Sequence, residues 1–226
     1  MEISPIAVIR TGFSEKFGVP RQSGLASGLR GRIVFNKEYR DPDAFRGLQD
    51  FSHLWLIWEF SCNRHSEWHP TVRPPRLGGN SSMGVFATRS PYRPNPIGLS
   101  CVRLESIEYD SPDAPVLIVR GADLVDGTPI YDVKPYIRYA DSHPESCCGY
   151  VDSLNEPNLE VYVPEHISVE FKDRIDFPTL RQVLSLDPRP SYQNDPERVY
   201  GMPFMGFDVK FSVRDAVLTI IDIVSL

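Results

Sequence analysis

The sequence predicts a mainly β protein, a β-barrel over residues 1–141 followed by a small α+β domain over residues 142–226. Three observations predict it. Short runs rich in β-branched and aromatic residues recur at close spacing through the first half. No long helical period separates them, which is the pattern of a barrel or sandwich. The 226-residue chain also carries 21 prolines, which cut it into pieces too short for long helices. With 41% apolar residues the chain can fill a sizeable core, and its 24% charged residues are ordinary for a globular protein.

The expected strands, in order, are residues 6–9, 32–35, 53–60, 84–88, 97–107, 116–121 and 130–136. Residues 53–60 are apolar on both faces, which suits a strand with neighbours on either side. One short helix is expected over residues 42–48, with Asp41 as its cap and Pro42 in its first turn. Two long loops, 12–31 and 64–82, are candidates for function, because loops of such length in a compact domain are seldom idle. Composition turns polar after about Tyr139. A strand-like stretch at 159–163, an amphipathic stretch at 177–186 and two terminal strands, 206–213 and 216–224, then make up the second unit.

Charge is unevenly distributed. The net charge is −6, yet residues 1–103 hold 14 Lys/Arg against 8 Asp/Glu, and residues 104–226 hold 10 against 22. Between Arg64 and Arg103 lie six arginines, no lysine and the single acid Glu67. Such a field binds phosphate even in an acidic chain, unless its arginines pair with acids of the second half. No apolar run is long enough for a membrane span, and residues 3–9 lack the cationic flank and long apolar stretch of a secretory signal. Cys62, Cys101, Cys147 and Cys148 show no disulfide-framework spacing, so a cytoplasmic protein is expected.

The segment richest in chemistry is Arg89-Ser90-Pro91-Tyr92-Arg93-Pro94-Asn95-Pro96-Ile97-Gly98-Leu99-Ser100. Its prolines hold two guanidinium forks ready for a carboxylate or phosphate, and Gly98 allows a ligand or strand to approach closely. A turn with its arginines in ion pairs is the plainer alternative. Strands on both sides argue against a proline-rich peptide ligand. Asp126-Gly127 is a strong hairpin-turn signal in its own right. Cys62, His65 and His69 have part of the spacing of a zinc site, with Cys147 or Cys148 as distant further ligands and no Cys-x-x-Cys partner. Residues alone therefore leave a zinc hydrolase and a non-catalytic RNA-binding barrel open beside a small-molecule-dependent enzyme.

The same arginine segment resembles the signature of the TrmO (TsaA/YaeB-like) family of tRNA methyltransferases. Further segments resemble it in order along nearly the whole chain: Val19-Pro20-Arg21-Gln22, Phe51-Ser52-His53-Leu54-Trp55, Pro70-Thr71-Val72-Arg73-Pro74-Pro75-Arg76-Leu77-Gly78-Gly79-Asn80, Asp123-Leu124-Val125-Asp126-Gly127-Thr128-Pro129, Asp132-Val133-Lys134-Pro135-Tyr136, and Leu186-Asp187-Pro188-Arg189-Pro190-Ser191-Tyr192. The resemblance implies a TsaA-like β-barrel instead of a Rossmann sheet, and the chain indeed lacks a G-x-G-x-x-G fingerprint. It implies a homodimer that uses S-adenosylmethionine to methylate N6 of N6-threonylcarbamoyladenosine at position 37, in the tRNA anticodon stem-loop.

Matched position by position, it places Arg21, Gln22, Ser23, Arg89, Leu99, Leu124, Asp126, Gly127 and Thr128 at the cofactor, with Arg89 toward the methionine carboxylate. Ser61 and Cys62 follow the central strand where relatives carry a hydrogen-bonding polar pair, so their contact would run through backbone. Asp126 is the candidate weak base. Arg73, Arg76 and Arg93 are expected at tRNA phosphates and Tyr92 against a base.

Overall fold

A computed structural model describes residues 2–62, 68–77, 81–154, 158–190, 193 and 195–226, without the side chain of Arg76. His65, Gly78, Gly79, Asn80, Ser191 and Tyr192, together with the predicted phosphate contact of the Arg76 side chain, lie outside the described residues.

The first half forms strands β1 (Ala7–Arg10), β2 (Arg30–Phe35), β3 (His53–Glu59), the two-residue β4 (Thr71–Val72) and β5 (Met83–Gly84), β6 (Ile97–Glu108), β7 (Val116–Arg120) and β8 (Pro129–Pro135). Six of them close into a barrel in the order β1-β2-β7-β6-β3-β8, every neighbour antiparallel. Alternation along each strand sends one set of side chains inward. Ile9, Ile33, Leu54, Leu56, Trp58, Val102, Leu104, Leu117, Val119 and Ile130 share one buried cluster. Each such side chain contributes about 1.5–3 kcal/mol relative to exposure. As its two apolar faces predict, β3 is paired on both sides, with β6 and with β8. Its inner Leu54, Leu56 and Trp58 are buried, while its outer Trp55 and Ile57 are half-buried.

Two expectations are corrected. Residues 84–88 do not form a strand. After Gly84 the chain turns into a 3-10 segment, Val85–Ala87, because the Thr88 amide and hydroxyl both donate to the Val85 carbonyl, at 3.1 and 2.8 Å. The helix expected over 42–48 is a short 3-10 turn, Pro42–Phe45. Asp41 caps it as expected, accepting from the Asp43 amide at 3.0 Å, but Gly47 takes a left-handed conformation and stops it.

The second half adds α1 (Arg138–Asp141), β9 (Glu160–Tyr162), α2 (Glu165–Glu170), α3 (Phe177–Ser185), β10 (Tyr200–Phe204), β11 (Phe207–Arg214) and β12 (Val217–Ser225). Its sheet runs β10-β11-β12-β9, with β9 parallel to β12. Asp176 caps α3 by accepting from the Thr179 amide, and Leu180, Val183 and Leu184 form the buried stripe of that helix. Strand β10 was not expected, since Gly201 and Pro203 hide the β signal. The alternating burial of Tyr200, Met202 and Phe204 carries it.

The long loop between β1 and β2 belongs to this second core. Phe13, Ala26 and Leu29 are buried in it, and the Phe13 ring meets Phe204 edge-on at 5.8 Å. Gly28 lies so close under α3 that a Cβ there would stand 2.2 Å from the Thr179 hydroxyl, while its amide donates to Gln182 Oε1 at 2.9 Å. The loop thus runs from the barrel, across the second sheet and back.

Candidate functional site

Where β3 ends and β6 begins, a cavity of about 430 Å³ opens. It is walled by three loops and by those strand ends. Arg21 and Gln22 come from the β1–β2 loop, Arg89 and Arg93 from the proline-stiffened segment, and Asp123, Leu124 and Thr128 from the β7–β8 connection. The strand ends supply Trp58, Ser61, Cys62, Gly98 and Leu99. Four segments that are far apart in sequence therefore meet at one place.

Apolar and charged groups divide its surface. Trp58 and Phe60 meet tilted, 4.3 Å between ring centroids and 60° between planes, and Ile97, Leu99, Leu124 and Val125 continue the apolar wall. Gly98 makes that wall possible. A Cβ there would stand 2.3 Å from Trp58 Cε2 and 2.4 Å from Cζ2, so its backbone carries the indole directly. What approaches Gly98 closely is the Trp58 side chain of the paired strand β3.

Trp58 starts a chain of polar contacts. Its Nε1–H donates to Ser100 Oγ at 2.9 Å, and Ser100 Oγ–H donates to Asp123 Oδ1 at 2.6 Å. An indole nitrogen can only donate, so the serine hydrogen is forced toward Asp123. Burial pushes the Asp123 carboxyl above the usual carboxylate range. The Ser100 hydrogen bond, backbone amides and the Arg89 charge pull the other way. By linkage, the stability this group contributes is full below its unfolded pKa and is lost as pH rises through its higher folded pKa. A charged Asp123 is thus held in the cavity only at a cost in stability, as functional groups often are. Asp123, Ser100 and Trp58 were not singled out by sequence, although all three stand within segments that were.

Arg89 donates from Nη1 to Gln22 Oε1, and Gln22 Nε2 donates to the Arg21 carbonyl at 2.6 Å, which ties two of the loops together. Arg21 Nη2 in turn donates to the Asp187 carbonyl at 3.3 Å, so the second unit braces this corner. Ser23 is outside the cavity lining, and its hydroxyl accepts from the Cys101 amide at 3.1 Å. Thr128 is buried and donates to the Val125 carbonyl at 2.7 Å.

Asp126 is also outside the lining. Its carboxylate accepts from Arg10 Nη1 at 3.2 Å and from the Thr11 amide at 2.9 Å. Gly127, at φ 76°, completes a turn closed by the Thr128 amide on the Val125 carbonyl at 3.2 Å.

Among the described residues, Arg73, Arg89, Arg93 and Arg103 form no salt bridge, although the Arg89 charge acts on the Asp123 carboxyl of the second half. Arg73 is exposed, whereas Arg93 donates to the Val85 and Thr88 carbonyls at 3.4 and 3.1 Å and holds its own loop. Tyr92 is 37% exposed on the same segment, outside the cavity lining. Cys62 and His69 are exposed, and no three His, Cys, Asp or Glu side chains come together as a metal site among the described residues.

Comparison with known proteins places this architecture. The sequence model for the tRNA-methyltransferase O N-terminal domain matches residues 8–142, and that for the TrmO C-terminal domain matches residues 161–226. The chain is 41% identical to the Escherichia coli tRNA (adenine(37)-N6)-methyltransferase, over 95% of this chain and 94% of that one. It is 43% identical to a protein of the same name from Eikenella corrodens, over 73% of this chain and 92% of that one. A crystal structure of TrmO from Pseudomonas aeruginosa superposes with a TM-score of 0.80 at 32% identity, covering 100% of this chain and 98% of that one.

Proposed function

The chain belongs to the tRNA-methyltransferase O family, and on that premise we propose that it methylates N6 of N6-threonylcarbamoyladenosine at position 37 of tRNA. It is an S-adenosylmethionine-dependent tRNA (adenine-N6) methyltransferase. The observation that carries the finer reading is the convergence of the 21–22, 89–93, 97–99 and 123–128 segments on one cavity with an apolar wall and charges of both signs.

That cavity fits the cofactor. A zwitterionic head needs Arg89 and Asp123, and an adenine needs the Leu99, Leu124 and Trp58 surfaces. When bound, S-adenosylmethionine supplies a methyl group already activated on its sulfonium. The residues of the chain then have mainly to align donor and acceptor and exclude water. Arg21, Gln22 and Arg89 hold one wall, and Leu99, Leu124 and Thr128 hold the other. Ser61 and Cys62 border the mouth through backbone, and Ser23 steadies the first loop through its bond to Cys101. Asp126 and Gly127 shape the turn that presents Thr128.

Asp126→Asn is expected to keep turnover within a few-fold, because its carboxylate is engaged by Arg10 and Thr11 on an exposed surface. A fall of about 10²–10⁴ in kcat with cofactor binding intact would instead give Asp126 the role of base.

For the tRNA anticodon stem-loop, Arg73, Arg76 and Arg93 supply phosphate contacts and Tyr92 a stacking face. Arg73→Gln should weaken tRNA binding at every sequence and flatten the slope of log K against log salt by about 0.7–0.9. A homodimer in the cytoplasm is the assembly in which we expect this activity. Leu99 and Ile97 of the cavity lining and Phe86 of the Val85–Ala87 turn, exposed by 54%, 38% and 76%, suit a face covered by a second subunit.

The test is methyl transfer from radiolabelled S-adenosylmethionine to tRNA with and without the threonylcarbamoyl group. Transfer to the modified tRNA alone is expected. Equal transfer to unmodified tRNA would remove the proposed substrate, and cofactor binding without transfer to either would reopen it.

A further inference from the structure

A second cavity, of about 420 Å³, adjoins the first. Lys16, Val19, Pro20 and Arg21 line both, so this stretch of the β1–β2 loop is their common wall. The rest of its lining includes Phe17, Val183, Leu186 and the 187–190 segment. The charges of that segment neutralise each other. Asp187 accepts at Oδ1 from Arg189 Nε at 2.8 Å and at Oδ2 from Arg189 Nη2 at 2.9 Å, a bidentate pair in which Arg189 is 9% exposed. Asp187 holds a left-handed conformation, φ 50°, just past the end of α3, where glycine is the usual residue. Its carbonyl accepts from Arg21 Nη2 at 3.3 Å.

Arg21 itself is exposed, forms no salt bridge and makes no further side-chain hydrogen bond among the described residues. Its bond to the neighbouring Gln22 side chain uses the backbone carbonyl. The guanidinium, anchored at one nitrogen, thus keeps donors for a planar anion at the boundary of the two cavities. The substrate supplies such an anion. The threonylcarbamoyl group grows from N6, the nitrogen that must meet the methyl group in the first cavity. Its carboxylate carbon stands four bonds away, roughly 5 Å when extended, so it has to be housed next to that cavity.

We propose that the second cavity is the subsite for the threonyl end of the substrate, and that the Arg21 guanidinium donates to its carboxylate. This rests on the reading that the chain methylates N6-threonylcarbamoyladenosine. The apolar side chains beside Arg21 suit the threonyl methyl. Arg21 then selects the modified nucleotide, since unmodified adenosine brings no carboxylate to this place.

The experiment measures kcat/KM for methyl transfer by the full chain and by Arg21→Gln. Two tRNAs are compared, one with the free threonylcarbamoyl carboxylate and one with that carboxylate converted to its methylamide. For the unaltered chain, amidation should lower kcat/KM by about 10- to 100-fold, the effect of losing a charge-assisted hydrogen bond. Arg21→Gln should lose a similar factor on the free acid and be nearly indifferent to amidation. Calorimetric titration with S-adenosylmethionine should give the same affinity for both proteins, which also reports that the variant is folded.

Equal transfer to acid and amide by the unaltered chain would overturn the proposal, whatever the variant does. An equal loss on both tRNAs in Arg21→Gln would make Arg21 a phosphate contact, and a loss of S-adenosylmethionine affinity would return it to the cofactor. Either result overturns the proposal too. If the unaltered chain transferred methyl equally to tRNA lacking the threonylcarbamoyl group, the substrate reading itself would fail, an outcome distinct from failure of the Arg21 assignment.

Discussion

Gly98→Ala is expected to lower both stability and cofactor affinity, although it adds one methyl group. That methyl would stand 2.3–2.6 Å from three atoms of the Trp58 ring, well inside contact distance. The indole is 8% exposed, packed against the barrel core and bordering the cavity, so it can yield only toward the cavity. Moving it outward breaks the Nε1–Ser100 bond and releases the Ser100 hydrogen from Asp123. Overpacking of this kind costs about 1–3 kcal/mol, and a buried donor left without a partner adds about as much again. The melting temperature should fall by roughly 2–4 °C for each kcal/mol lost in a chain of this size. Cofactor titration should show weakened binding in protein that is still folded. The double variant Trp58→Phe/Gly98→Ala removes the ring atoms that clash, so its loss should be smaller than the sum of the single losses. Additive losses would show that the methyl group acts on something other than the indole.

Phe13→Ala should have a still larger effect on stability and should also reach the cavity from a distance. Phe13 is 1% exposed and sits in the second core, edge-on to Phe204. Truncating a buried phenylalanine costs about 3–5 kcal/mol. Urea unfolding should show this as a lower midpoint with little change in slope. Because Phe13, Ala26 and Leu29 pin the loop that carries Arg21 and Gln22, the folded fraction should also bind cofactor more weakly. Full affinity in folded Phe13→Ala protein would mean that Gly28, Gln182 and the Arg21–Asp187 contact hold the loop without it.

The two variants mark what could be read from sequence and what could not. The strands were legible because alternation and β-branched content are local properties. β2, β3, β6, β7 and β8 fall within a few residues of expectation. The segment 84–88 failed because its apolar residues follow no pairing partner, and Phe86 is 76% exposed. β10 failed because Gly201 and Pro203 outweigh three buried apolar positions when counted locally.

Of the residues that the motif resemblance places at the cofactor, Arg21, Gln22, Ser61, Cys62, Arg89, Leu99, Leu124 and Thr128 line one cavity, whereas Ser23, Asp126 and Gly127 do not. Asp126 drew attention over Asp123 because Asp-Gly stands out in a sequence. Which of two aspartates three residues apart faces the cavity depends on their neighbours. Arg10 and Thr11 claim Asp126, and Ser100 and Trp58 claim Asp123, from strands up to 116 positions away.

By itself, then, the sequence determined the strand-rich architecture, the proline-stiffened arginine segment and the family, since each is written in contiguous residues. The tertiary structure alone decided that the 12–31 loop packs in the second core, that Gly98 serves Trp58, and that Asp123 lines the cavity where Asp126 does not. Burial and hydrogen-bond partnership are set by closure of the barrel, which brings together residues whose separation in the chain conceals their contact.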